Sequence, residues 1–212
     1  MRRAMTLIEL IFSMMIVALV FTVVPKILFV TNRSFETAVK EEALYNAMAL
    51  MGIVVRLPWD EANTRYDRIL EVTAGEGAYL CDESTGFYRV GGFRGSRNCI
   101  DNSETPMRAS ETLGLEGSDY NDLDDYNGFG VTAATPFGVR YELNVTVRYL
   151  EDPAPGGEVD LSRLAPSGGT TNIKEVNVTV TNAPGTKIPF RASVYYHSAN
   201  IGQFYLNKRA WR

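Results

Sequence analysis

The sequence predicts an α+β fold, a long N-terminal α-helix with a transmembrane first half, packed through its second half on an antiparallel β-sheet head. Three observations carry that prediction. A run without a charged residue extends from Leu10 to Pro25. An amphipathic stretch follows it as far as Pro58, with no glycine before Gly52. Three segments that alternate apolar and polar residues then fill the C-terminal part of the chain.

The first element is set by length and charge. Leu10 to Val30 contains a single charged residue, Lys26, and as a helix it spans ~31 Å, enough for the hydrocarbon core of a bilayer. Arg2 and Arg3 precede it, which places the N-terminus in the cytoplasm and sends the rest of the chain outward. The residues after the core, Pro25-Lys26-Ile27-Leu28-Phe29, offer no small-x-small site, so an ordinary secretory signal fits poorly. A plain signal anchor leaves Glu9 without a purpose. An ionisable group in a span costs a few kcal/mol unless paired, and by default it marks function.

Ala4-Met5-Thr6-Leu7-Ile8-Glu9-Leu10, after a short basic leader, resembles the class III signal of type IV pilins and type II secretion pseudopilins. The resemblance implies a leader of residues 1–4, cleaved between Ala4 and Met5 by a prepilin peptidase, and N-methylation of Met5. Glu9 becomes the fifth residue of the mature chain, with Thr6, Leu7, Ile8 and Leu10 completing the assembly motif. Two residues depart from the family pattern: Ala4 stands where glycine is usual, and Met5 where phenylalanine is usual. The physics suits the motif, because a new amine at Met5 is a cation that needs a counter-charge inside a fibre, and a carboxylate one turn along supplies it. The implied partners are other pilin or pseudopilin subunits, the peptidase and an inner-membrane assembly platform. The implied location is the bacterial inner membrane, single-pass with the head periplasmic, and then a pilus or pseudopilus.

Residues 5–30 thus form the transmembrane and assembly part of the helix, and residues 31–58 its amphipathic half. Leu28, Phe35, Val39, Ala43 and Met51 recur at helical spacing among Arg33, Glu36, Lys40, Glu41 and Glu42. Pro58 is the natural stop, giving one helix of ~50 residues and ~75 Å. Pro25 is expected to kink or locally melt it.

The head is expected over residues 59–212. Asp67–Thr73 and Phe87–Val90 read as short strands, while the glycine-rich run Gly91–Gly95 resists assignment. Cys81 and Cys99 have neither a Cys-x-x-Cys partner nor a nearby histidine, so metal binding fits them poorly. In an exported head they form a disulfide, and otherwise a pair of reduced thiols. Val139, Tyr141, Leu143, Val145, Val147 and Tyr149 alternate with Arg140, Glu142, Asn144, Thr146 and Arg148, the mark of a half-buried strand. Ile173 to Thr181 repeats the pattern with Val176, Val178 and Val180, and Ile188 to Tyr196 repeats it again. A Pro/Gly/Ser-rich loop, Asp152 to Thr171, separates the first two strands, and a turn over Asn182–Thr186 separates the last two.

Composition narrows the chemistry. The net charge of −4 and the lack of any Lys/Arg-rich run argue against a nucleic-acid partner. The single histidine, His197, reads as a surface residue near a strand end, and no nucleophile elbow or phosphate-cradling glycine loop appears, so the chain is not expected to be an enzyme. The run SDYNDLDDYNGFG gathers Asp119, Asp122, Asp124, Asp125 and Asn127. Hard oxygens at that density suit Ca²⁺, although EF-hand spacing fails at Asn127 and Ala133; the alternative is a solvated acidic turn. No other cofactor is implied. DLDDYNGF followed by a long alternating strand resembles the D-type minor pilin of mannose-sensitive haemagglutinin pili. The expected function is therefore a minor pilin or pseudopilin. An adhesive or cargo-binding tip subunit and a singly anchored periplasmic protein are the alternatives.

Overall fold

A computed structural model of the chain describes residues 6–65, 68–81, 89, 99–100, 105–136, 138–186 and 188–202. The processing site expected at Ala4 and Met5 and the glycine-rich run Gly91–Gly95 lie outside them, as does the strand expected over Phe87–Val90, Arg89 apart.

The architecture is α+β, one long N-terminal apolar helix and a four-stranded antiparallel sheet. Helix α1 runs Leu7–Val54, 48 residues, or ~72 Å at the usual rise. Its last turn tightens as Arg56 N donates to Ile53 O and Leu57 N to Val54 O. That ending is dictated by Pro58, whose ring excludes helical geometry from the residue before it. Pro25 lies inside α1. It supplies no N–H to the carbonyl of Phe21, yet helix continues on both sides. Of the kink or local melting expected there, melting is not seen, because a single missing hydrogen bond is carried by the flanking turns.

The chain divides into two compact units, Met1–Ala43 and Leu44–Arg212. The first is helical from Leu7 onward. The second holds the last turns of α1, where Ala47, Met51 and Val54 are buried, together with the sheet. Strands β1 (Gly130–Ala134), β2 (Arg140–Leu150), β3 (Ile173–Asn182) and β4 (Arg191–Ala199) follow one another as an antiparallel meander.

Alternation along β2 places Tyr141, Leu143, Val145, Val147 and Tyr149 on the core face and exposes Asn144, Thr146 and Arg148. Register extends that face across the sheet, with Leu143 opposite Val180, Val145 opposite Val178 and Val147 opposite Val176. Each of these side chains contributes about 1.5–3 kcal/mol by leaving water. Asn46, on the last turns of α1, donates to the Tyr141 hydroxyl at 2.6 Å, tying helix to sheet within this unit. The β3–β4 turn needs Gly185 at φ 83°, a left-handed conformation that glycine adopts without steric cost.

One expected element is missing and one unexpected element is present. Asp67–Thr73 makes no strand among its described residues; Glu71 forms one isolated bridge to Arg108. The backbone of Leu70 is satisfied instead by the side chain of Asn200, which donates to its carbonyl and accepts from its amide. The short strand β1 was not among the expected elements.

Candidate functional site

Two features of the molecule place chemistry where ordinary packing does not require it. The first is the start of α1. No residue in the most apolar eighteen-residue window of this helix is buried, and Leu7, Ile8 and Leu10 are all exposed. Its hydroxyls turn inward on the helix: Ser13 Oγ donates to Leu10 O at 2.8 Å and Thr22 Oγ1 to Ala18 O at 3.0 Å. A helix built this way presents almost nothing polar to its surroundings, as a hydrocarbon environment demands. Among the described residues it is the one helix long and apolar enough to cross a membrane.

Glu9 is the exception on that surface. Its Oε2 accepts from the amide of Thr6 at 3.5 Å, while Thr6 O accepts from Leu10 N. Thr6-Leu7-Ile8-Glu9 thereby makes the reaching-back half of a capping box, with a carboxylate at the positive end of the helix dipole.

The second feature lies in the head. Lys174 is wholly buried, and its Nζ donates to Trp59 O at 2.8 Å, Asp60 Oδ2 at 2.9 Å and Asp124 Oδ1 at 2.9 Å. The same ammonium sits 3.9 Å from the Trp59 ring centroid and 5.3 Å from that of Tyr149, a cation–π arrangement. Asp60 is anchored further by Ser110, whose N and Oγ donate to it at 2.9 and 3.1 Å. Tyr149 Oη in turn donates to Ser110 O at 2.8 Å. Trp59, Leu70, Val72, Ala109 and Tyr149 enclose this centre in a small apolar cluster. Burial also drives the Tyr149 hydroxyl far above the usual phenol range.

The acidic run is drawn into the same centre. Asp119 is exposed, whereas Asp122, Asp124 and Asp125 are buried. The short 3₁₀ turn Asp124–Tyr126 aims Asp124 at Lys174. Asp125 accepts from the amides of Glu116, Asn121 and Asp122, and Asp122 Oδ1 accepts from Asp125 N. Asn127 bridges Leu113 O and Val147 N. Of the residues read as calcium ligands, Asp122, Asp124, Asp125 and Asn127 thus turn oxygens to backbone amides and an ammonium. Among the described residues no group of three or more His, Cys, Asp or Glu side chains is arranged to hold a metal ion. Burial pushes the Asp122 carboxyl up to about 8, with Asp124 and Asp125 adding to the effect. Burial raises Asp124 to about 6, although Lys174 pulls the other way.

Cys81 and Cys99 are joined as a disulfide, their Cα atoms 6.1 Å apart. His197 lies within β4, opposite Glu175 in register, and is one-fifth exposed. Its Nε2 is 3.3 Å from Glu175 Oε2 but without hydrogen-bond geometry; Arg148 is the closer partner of that carboxylate at 2.7 Å.

No family model, curated protein or solved structure matches this chain. Of the residues that build the buried centre, sequence reading reached Asp124 and missed Lys174 and Asp60. Lys174 carried a usable signal, since it falls in phase with Val176, Val178 and Val180 and so must face the core. Asp60 follows Trp59 directly after the helix, in a segment without periodicity, and nothing local marks it.

Proposed function

We infer that the chain is a minor pilin or pseudopilin subunit, inserted in the inner membrane, trimmed between Ala4 and Met5 and assembled into a fibre through its N-terminal helix. The observation that carries this reading is a helix with no buried residue in its most apolar window and, at the start of its apolar half, a carboxylate, Glu9, that accepts from the amide of Thr6. After trimming, the amine of Met5 falls one peptide from that amide. The carboxylate is then placed to neutralise the amine on its own chain or on a neighbouring one. Apolar packing between helices supplies most of the stabilisation, and the charge pair sets the register, a role for which buried polar groups are best attested. The likeness of the TLIEL segment to the pilin signal supports the same reading. The partners are other subunits of the fibre, the prepilin peptidase and the membrane assembly platform.

Intact mass of protein recovered from its native membrane tests the processing step. Loss of Met1–Ala4 with gain of one methyl group is expected, whereas an untouched N-terminus favours a singly anchored periplasmic protein. The role of Glu9 is tested by Glu9→Leu. That variant is expected to accumulate in the membrane at normal levels yet be missing from sheared filaments; normal incorporation would refute the role.

A further inference from the structure

Fibre assembly makes no use of the charged centre around Lys174, and a core of this size is built as well from apolar residues. We propose that Lys174 and Asp124 condense into an intramolecular isopeptide bond that joins β3 to the turn Asp124–Tyr126, with Asp60 as the proton acceptor. This inference stands on the head alone and is independent of the assembly reading.

The geometry supplies each requirement of the reaction. One amine nitrogen lies 2.9 Å from oxygens of two carboxyl groups that come from separate parts of the chain. Condensation needs two such groups, one to provide the acyl carbon and one to take up a proton. Asp60 is suited to the second task, because Ser110 N, Ser110 Oγ and Ala62 N fix its orientation. Asp124 is suited to the first, since its carboxyl, raised to about 6 by burial, is accessible in the protonated form that an amine attacks. Lys174, Asp60 and Asp124 are almost completely removed from solvent, with Trp59 and Tyr149 against the ammonium.

The step balances without an outside reagent. Asp60 takes one proton from the Lys174 ammonium, and the freed lone pair attacks Cγ of the protonated Asp124 carboxyl. The new C–N bond forms and the Asp124 C–OH bond breaks. The hydroxyl leaves as water with a second proton from nitrogen, and Asp60 keeps the first. Fixed proximity of this kind is worth a very large effective concentration. A dry site also denies the product the water that would hydrolyse it. The condensation further removes one positive and one negative charge from a place where each is costly to hold.

The test is the intact mass of the unreduced full-length protein, followed by peptide mapping. A mass lower by one water, after the disulfide and any N-terminal trimming are counted, is expected, together with a branched peptide carrying Lys174 and Asp124. Trimming shifts the mass by whole residues and a methyl group, so the two questions separate in one spectrum. Asp60→Asn, which preserves shape, is expected to show the full uncondensed mass. Wild-type protein at the full mass overturns the proposal, and a condensed Asp60→Asn variant overturns the part given to Asp60.

Discussion

In the first unit Glu9 is the one carboxylate in the apolar half of the helix, and among the described residues it reaches the amide of Thr6. In the second, a lysine lies entirely out of water and yet all three of its protons are accepted, by Trp59 O, Asp60 and Asp124. Both regions set charge among apolar groups, and they resolve it differently. The head completes its pairing internally, so its charges become part of the fold. The helix, among the described residues, leaves its carboxylate without an ionic partner and its most apolar window unburied. On the function proposed above, a bilayer would cover that surface and a neighbouring subunit would supply the missing charge as well.

Substitutions can break or sharpen that contrast. The largest effect is expected from Lys174→Met, which takes away the ion pair with Asp60 and Asp124 and, where condensed, the covalent link as well; a loss of at least about 3 kcal/mol is expected, read by denaturant unfolding of the full chain in detergent by circular dichroism. Reducing the Cys81–Cys99 bridge should cost about 3 kcal/mol, from the loop entropy returned to the unfolded chain, and the same unfolding curve in reductant checks it.

The third prediction concerns pH. Asp122 is raised in the fold from 3.8 to about 8, so between those values the unfolded chain has already released a proton that the folded chain retains. Stability is therefore fully present below the unfolded value and falls as pH rises towards the folded one, by at most about 1.4 kcal/mol per unit. Asp122→Asn, which keeps the oxygen that accepts from Asp125 N, should flatten the slope between pH 6 and 8. An unchanged slope would assign it to other groups. The smallest effect belongs to the helix. Phe21 is 76% exposed, and Phe21→Ala should leave head unfolding within about 0.5 kcal/mol of wild type; a larger shift would show that the first unit contributes to the stability of the second.

Much of the fold could be read from residue order. The first half of α1 is marked by an apolar run unbroken by charge, its second half by helical spacing, and strands β2, β3 and β4 by a period of 2 in their sequences. Strand β1 carries no such mark. Gly130-Val131-Thr132-Ala133-Ala134 is mostly exposed and shows no alternation; it exists because the edge of β2 offers backbone partners, Val131 opposite Leu143 and Ala133 opposite Tyr141. The same division runs through the candidate sites. TLIEL announces Glu9 by the rarity of a carboxylate in an apolar run. Aspartates at high density announced only that oxygen atoms would meet something positive.

Local order along the chain thus determined which segments are helix and strand, which surface is bare and where a lone charge interrupts it, because those depend on neighbours a few residues apart. Tertiary structure alone decided that the cation meeting Asp124 is the ammonium of Lys174, fifty residues on in the chain, with Asp60 as the second carboxylate. Pairing across such separations is fixed by how strands register and loops close over a core, and no period in the sequence records it.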